Sequence, residues 1–279
     1  MIKEFARAKI NLTLDILGKR ADGYHEVEMI MQTLEIADII ELETADEITL
    51  KIFGNDSLPT DEKNLAYRAV LEDQKFCGKN FAVSINLIKK IPSAAGLAGG
   101  SSDAAAVIRG LNKLYDLNLS VDDMLKIGAE IGSDVPFCII GGTCLASGRG
   151  EKLTRLNDLD IFDVVLVKPH GEISTAWAYK TYDENISEIH PPNAEIIKLL
   201  NEKNYDAAFK KFYNVLEPVA VQKIPEIATY KKFLQDNGAK IAMMSGSGST
   251  VFAFIDNFNL EKFSGNAQIF ITKTFQKVI

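Results

Sequence analysis

Cysteine is scarce in this chain. Cys77, Cys138 and Cys144 are odd in number and lack zinc-ligand spacing, so neither a disulfide framework nor a zinc finger is expected. Each is expected to be a small buried hydrophobe. Histidine is also scarce. His170 and His190 each adjoin a proline, and only His25 lies elsewhere, so no metal-binding cluster is expected. No apolar run approaches the roughly 18–20 residues needed to span a bilayer. The start, MIKEFARAKINLTLDI, has no apolar signal-peptide core and is not an Arg/Ser-rich, acid-poor leader. A cytoplasmic location is therefore the expectation. The net charge of −7 and pI near 5.2 argue against non-specific nucleic-acid binding, which needs a basic surface. No fixed-period repeat or low-complexity linker interrupts the chain.

What remains is an ordinary globular composition, 47% hydrophobic and 25% charged over 279 residues, enough for one large domain or two modest ones. Residues 5–17 alternate loosely, with Ile10, Leu12, Leu14 and Ile16 on one side, which predicts a strand. Strand character continues through 25–43 and 47–53, and returns at 80–91. Residues 64–76 read as a helix. A second helix follows residue 100, with Ala104, Val107, Ile108, Leu111 and Leu114 at helical spacing. Ser101 or Ser102 is expected to cap it, with Asp103 in the first turn. A third helix, capped by Ser120, is expected to stop near Gly132, with Pro136 reinforcing the stop. Two short strands are expected over 138–153. The polar stretch Asn157–Asp160 marks the expected boundary between a domain over 1–158 and another over 159–279. The second half alternates helices and strands, as an α+β sandwich would.

One stretch carries chemistry. IPSAAGLAGGSSDAAA, residues 91–106, packs glycines and serines between a strand and a helix. Such a loop leaves backbone N–H groups free at a helix N-terminus, where the dipole adds positive character. Phosphate oxygens suit such a site, and glycine lets the backbone approach them closely. Serine hydroxyls can add hydrogen bonds to phosphate or to a metal ion. The stretch is not a Walker loop, because Ser101 stands where lysine is required, and its glycine spacing does not fit G-x-G-x-x-G.

The pattern P-x-x-x-G-L-x-G-G-S-S-D resembles the ATP loop of the GHMP (galactokinase, homoserine, mevalonate and phosphomevalonate) kinase superfamily. ARAKINLTLDILGKRADGYHEV (6–27), IGSDVPFCIIGGTCLASGRGE (131–151) and SGSGSTVFAF (245–254) resemble further motifs of the superfamily, in the right order and over nearly the whole chain. The first two point to a branch whose alcohol acceptor carries a cytidine diphosphate group. The resemblance implies an α+β fold of two domains around a cleft, the first like ribosomal protein S5 domain 2 and the second ferredoxin-like. It also implies phosphoryl transfer from ATP, accompanied by magnesium, to an alcohol. No protein ligand of magnesium is readable.

The resemblance assigns residues to roles. The ATP loop comprises Pro92, Ser93, Ala94, Ala95, Gly96, Leu97, Ala98, Gly99, Gly100, Ser101 and Ser102, with Asn64 near the adenine. By their place in the chain just before the loop, Lys89 and Lys90 could reach phosphate or the adenine side. Some relatives have glycine at the positions of Ala94, Ala95 and Ala98, and alanine disfavours positive φ. Asp134 is the catalytic carboxylate, although the residues alone equally fit an aspartate turn before Pro136. Lys9, the one charge in the strand AKINLTL, is placed beside Asp134, where it would support charge developing on the γ-phosphate. Asn11, two residues on, shares its face and would contact the polyol. Tyr24 would stack on the cytosine and His25 hydrogen-bond it, with Tyr179 on its other face and Thr175 also contacting substrate. A homoserine- or mevalonate-type kinase would have no use for the Tyr24–His25 pair, and a non-catalytic nucleotide sensor would not need Lys9 and Asp134.

Overall fold

A computed structural model describes all 279 residues. The first sheet is built on one long strand, β3. Its strands are β1 (Ile2–Asn11), β2 (Asp15–Lys19), β3 (His25–Thr44), β4 (Thr49–Phe53), β5 (Val83–Ile88), β6 (Thr143–Gly148) and β7 (Lys152–Arg155). Their order is β4-β5-β3-β6-β7, and β1 and β2 also pair with β3. Only β4 and β5 run parallel. Four helices belong to this half: α1 (Leu65–Cys77), α2 (Gly99–Leu114), α3 (Val121–Ile131) and α4 (Val135–Ile140).

The second sheet has β8 (Asp163–Pro169), β9 (Ile241–Met244), β10 (Val251–Phe254) and β11 (Ala267–Lys273). Its order is β11-β8-β10-β9, with every pairing antiparallel. Helices α5 (Thr175–Glu184), α6 (Asn193–Asn201), α7 (Tyr205–Phe209), α8 (Glu217–Lys223) and α9 (Glu226–Asp236) lie between β8 and β9 in the chain, and one 3₁₀ turn, Leu260–Lys262, precedes β11.

The alternation in β1 gives way to burial on both faces. Ile10 and Leu12 are buried, and so are Lys9 and Asn11. A bulge between Arg7 and Lys9 shifts the register against β3, and bulges re-aim side chains. The two sheets share apolar packing: Ile10, Leu12, Ile30 and Leu34 of the first join Val164, Leu166, Phe252 and Phe254 of the second in one cluster.

Two local expectations are corrected. Pro136 does not end a helix. α3 stops at Ile131, and Pro136 lies in the first turn of α4, where its missing N–H has no intrahelical partner to lose. Residues 138–140 are therefore helical, and strand begins only at Thr143. Neither Ser101 nor Ser102 caps α2. That helix begins two residues earlier, at Gly99, behind Ala98, and has no side-chain cap and no acid in its first turn.

Candidate active site

One cleft of about 930 Å³ gathers most of the expected residues. Pro92, Ser93, Ala94, Ala95, Gly96, Ala98, Gly99, Gly100 and Ser101 line it. So do Lys9, Asn11, Tyr24, His25, Asn64, Lys89, Asp134, Thr175 and Tyr179. Leu97 and Ser102 do not. Both are buried, and the Ser102 hydroxyl hydrogen-bonds the Arg7 carbonyl at 2.6 Å. Of the two serines, only Ser101 faces the cleft.

The loop before α2 is held by its carbonyls. Lys9 N–H donates to Leu97 O (3.1 Å) and Thr250 N–H to Ala95 O (3.3 Å). Ser245 Oγ donates to Gly96 O (3.0 Å). The N–H groups of residues 93–101 donate to no protein acceptor, so a row of donors is left at the dipole-positive end of a 16-residue helix. Gly96 has φ +76°, and a Cβ there would stand 2.1 Å from the Ser245 carbonyl oxygen, so only glycine fits. Ala94 and Ala98 take φ +50° and +57°. The loop adopts its left-handed turns despite the two alanines, at a cost of about 1–2 kcal/mol each.

Lys9 sits below this loop. Its ammonium is 2.6 Å from Asn11 Oδ1 and 3.6 Å from Asp134 Oδ2. Asn11 Nδ2 lies 2.9 Å from Met29 Sδ. Asp134 occupies the N-cap position of α4, but its side chain makes no capping bond. The carboxylate is about one-third exposed and opens to the cleft. Gly246, from the β9–β10 turn, closes over the pair, because a Cβ there would lie 3.3 Å from both Lys9 Nζ and Asn11 Oδ1.

Lys89 and Asn64 line the cleft with their polar groups already engaged. The Lys89 ammonium bonds Asp38 and lies 2.7 Å from Asp103 Oδ2. Burial, with Asp38 nearby, pushes the Asp103 carboxyl up to about 8 against the pull of Lys89. Lys89 therefore braces the underside of the loop. Asn64 caps α1 through Oδ1 and donates Nδ2 to the Pro59 carbonyl.

Part of the lining is aromatic. Tyr24 is half exposed, and the Arg149 guanidinium lies 5.2 Å over its ring. The His25 and Tyr179 rings are 5.0 Å apart at 37°. Burial raises the Tyr179 phenol above its ordinary value. Thr175 Oγ1 lies 3.1 Å from Ser247 Oγ, which joins the start of α5 to the β9–β10 turn. His25 Nε2 is 2.6 Å from Asp183 Oδ1, and Lys19 Nζ is 2.7 Å from Asp183 Oδ2. Hydrogen bonds from Lys19 and then His25 hold the Asp183 carboxyl below its ordinary value.

Arg149, Asp183 and Lys19 were not singled out from sequence, whereas the turn 246–248, which also lines the cleft, lies in the motif 245–254 read there by resemblance. Asp183 had a readable signal: Thr175, Tyr179 and Asp183 recur every four residues, on one face of a helix. Asp38 also had one, as the acid inside the short apolar run 36–40 of β3.

Comparison with known proteins fits this geometry. The GHMP kinases N terminal domain matches residues 64–142, and the GHMP kinases C terminal domain matches 188–266. A 4-diphosphocytidyl-2-C-methyl-D-erythritol kinase of Carboxydothermus hydrogenoformans is 46% identical over 92% of this chain and 90% of its own. The chain belongs to the 4-diphosphocytidyl-2-C-methyl-D-erythritol kinase family, a branch of the GHMP kinases. A Bacillus pumilus member is 48% identical over 91% of this chain and 88% of its own. A crystal structure of 4-(cytidine 5'-diphospho)-2C-methyl-D-erythritol kinase superposes with a TM-score of 0.81 at 28% identity, covering 98% of this chain and 99% of that one. The expected fold, two mixed α+β halves of the GHMP type, is the observed one, and the chain is a kinase of this family. No helix is long and apolar enough to cross a membrane.

Proposed function

We propose that this kinase transfers the γ-phosphoryl group of ATP to the 2-hydroxyl of 4-diphosphocytidyl-2-C-methyl-D-erythritol, a step of non-mevalonate isoprenoid synthesis. The observation that carries the reading is a single cleft lined by the donor-rich loop 93–101, by the His25–Tyr179 pair, and by Lys9 with Asp134.

Phosphoryl transfer asks a protein mainly for positioning and for charge stabilisation. The loop N–H groups would take the ATP phosphates, while Tyr24, His25, Thr175 and Tyr179 would hold the cytidine end. Asp134 is not used as a cap, so its carboxylate is available to accept the proton of the attacking hydroxyl or to orient it. Lys9 is held by Asn11 within reach of Asp134 and would stabilise negative charge on the transferring group.

Magnesium would enter with ATP. No group of three or more His, Cys, Asp or Glu side chains is arranged to hold a metal ion. The phosphates would therefore supply most of its oxygen ligands, and its contribution there is charge neutralisation.

A coupled ADP-release assay with magnesium-ATP tests the reading. 4-diphosphocytidyl-2-C-methyl-D-erythritol, homoserine and mevalonate are each offered as acceptor. Turnover of the first alone is expected. Activity confined to a small alcohol would refute it.

A further inference from the structure

Three side chains from separate elements meet at the cytidine end. Lys19 closes β2, His25 opens β3, and Asp183 lies near the end of α5. An ionised carboxylate can only accept hydrogen bonds. With Lys19 on one oxygen and the imidazole Nε2 on the other at 2.6 Å, the ring must present Nε2–H to Asp183. In the neutral ring the other nitrogen, Nδ1, is then an acceptor, and it has no protein partner. Cytosine carries an amino donor at position 4, where uracil carries a carbonyl acceptor, as thymine does. An acceptor facing that position pairs with the first and repels the second.

We infer that Asp183 is a positioning residue which fixes the tautomer of His25 and thereby makes the site select a cytidine over a uridine diphosphate acceptor. This rests on the proposed function, in which the base lies against His25. Tyr179, one turn before Asp183 on α5, packs on the same imidazole, so a single helix face sets both the ring's orientation and its proton. The Lys19 ammonium keeps Asp183 an acceptor.

The tautomer is readable without substrate. The chain has only three histidines, so ¹⁵N-histidine spectra are simple to assign by substitution. The wild type is expected to show His25 protonated at Nε2, and Asp183→Ala to show a mixture. Kinetics then compare the cytidine acceptor with its uridine counterpart. In Asp183→Ala the preference in kcat/KM is expected to fall about tenfold, the effect of roughly one hydrogen bond, with KM for ATP unchanged. Lys19→Met, which leaves the carboxylate in place, is expected to shift the preference the same way by less.

A proton on Nδ1 in the wild type would overturn the inference and leave the kinase reading intact. So would an unaltered base preference in a folded Asp183→Ala with a mixed tautomer. Absence of turnover with either nucleotide acceptor would sink the kinase reading and this inference together.

Discussion

Asp134 stands where a helix ordinarily takes a capping side chain, and it makes no such bond. A carboxylate free of its own backbone and one-third exposed to a cleft is poised to act on a substrate. Asp134→Asn should lower kcat by about 10²–10⁴-fold, the usual range for a lost general base, and leave the thermal midpoint where it is. If the variant turns over at the wild-type rate in the ADP assay, the carboxylate has no part in the chemistry. Lys9 and Asp134 were readable only through the resemblance of the motifs that carry them, since Asp134 by itself fits an aspartate turn before Pro136 equally well; Asn11 followed from sharing the strand face of Lys9. Asp183 was harder to see because its meaning lies in a contact 158 residues away. The burial of Lys89 between two acids was likewise invisible to a reading that knew only that it preceded the loop. Ala98 allows a second test. Its φ of +57° is strained for alanine, so Ala98→Gly should be neutral or stabilising by about 1 kcal/mol or less in urea denaturation.

The contrast with Gly96 belongs to the scale of elements. There the obstacle is the neighbouring β9–β10 turn, whose Ser245 carbonyl occupies the space of a Cβ. Gly96→Ala should cost about 1–3 kcal/mol and raise KM for ATP, since the loop must move off its anchors. An ATP KM equal to that of the wild type would show that the anchors are dispensable. Helix α1 holds a different tension. Asp73 is fully buried, neither carboxylate oxygen has a partner, and burial pushes its carboxyl from 3.8 to about 8. The folded state thus favours the protonated form. Stability is complete below about pH 3.8 and drains away as pH rises towards 8. In Asp73→Asn that drain should vanish, so its advantage in urea midpoint should grow from pH 5 to pH 8. A pH-independent difference would show that Asp73 is ionised in the fold or titrates normally. Helix and strand periodicity was legible through most of the chain. The errors fell at helix starts: a proline can begin a helix as readily as stop one nearby, and α2 begins at Gly99 behind Ala98, without a side-chain cap.

At the scale of the whole molecule, length and composition fitted one large domain or two, the polar stretch 157–160 suggested two, and the structure shows two sheets whose apolar faces are partly one core. Ile10, Leu12, Ile30 and Leu34 pack with Val164, Leu166, Phe252 and Phe254, and Phe275 N–H donates to Thr33 O at 2.9 Å. Fragments 1–158 and 159–279 expressed separately should each expose one side of that core. Neither is expected to resist limited proteolysis as the intact chain does. A protease-resistant fragment 1–158 would show that the shared cluster contributes little. This interdependence could not be read from periodicity, which shows that a face is buried but not what covers it.

The loop before α2 is anchored to both halves through the Leu97, Gly96 and Ala95 carbonyls, while its own N–H groups from 93 to 101 are left without protein acceptors. Amide hydrogen exchange sees only the second half of that arrangement. The loop should therefore lose its label quickly in the free enzyme, as a floppy segment would, although its path is pinned from both sides. Addition of ATP should slow exchange across 93–101 far more than it changes the loop's shape. Rapid exchange here marks open hydrogen-bonding positions in a preformed cradle.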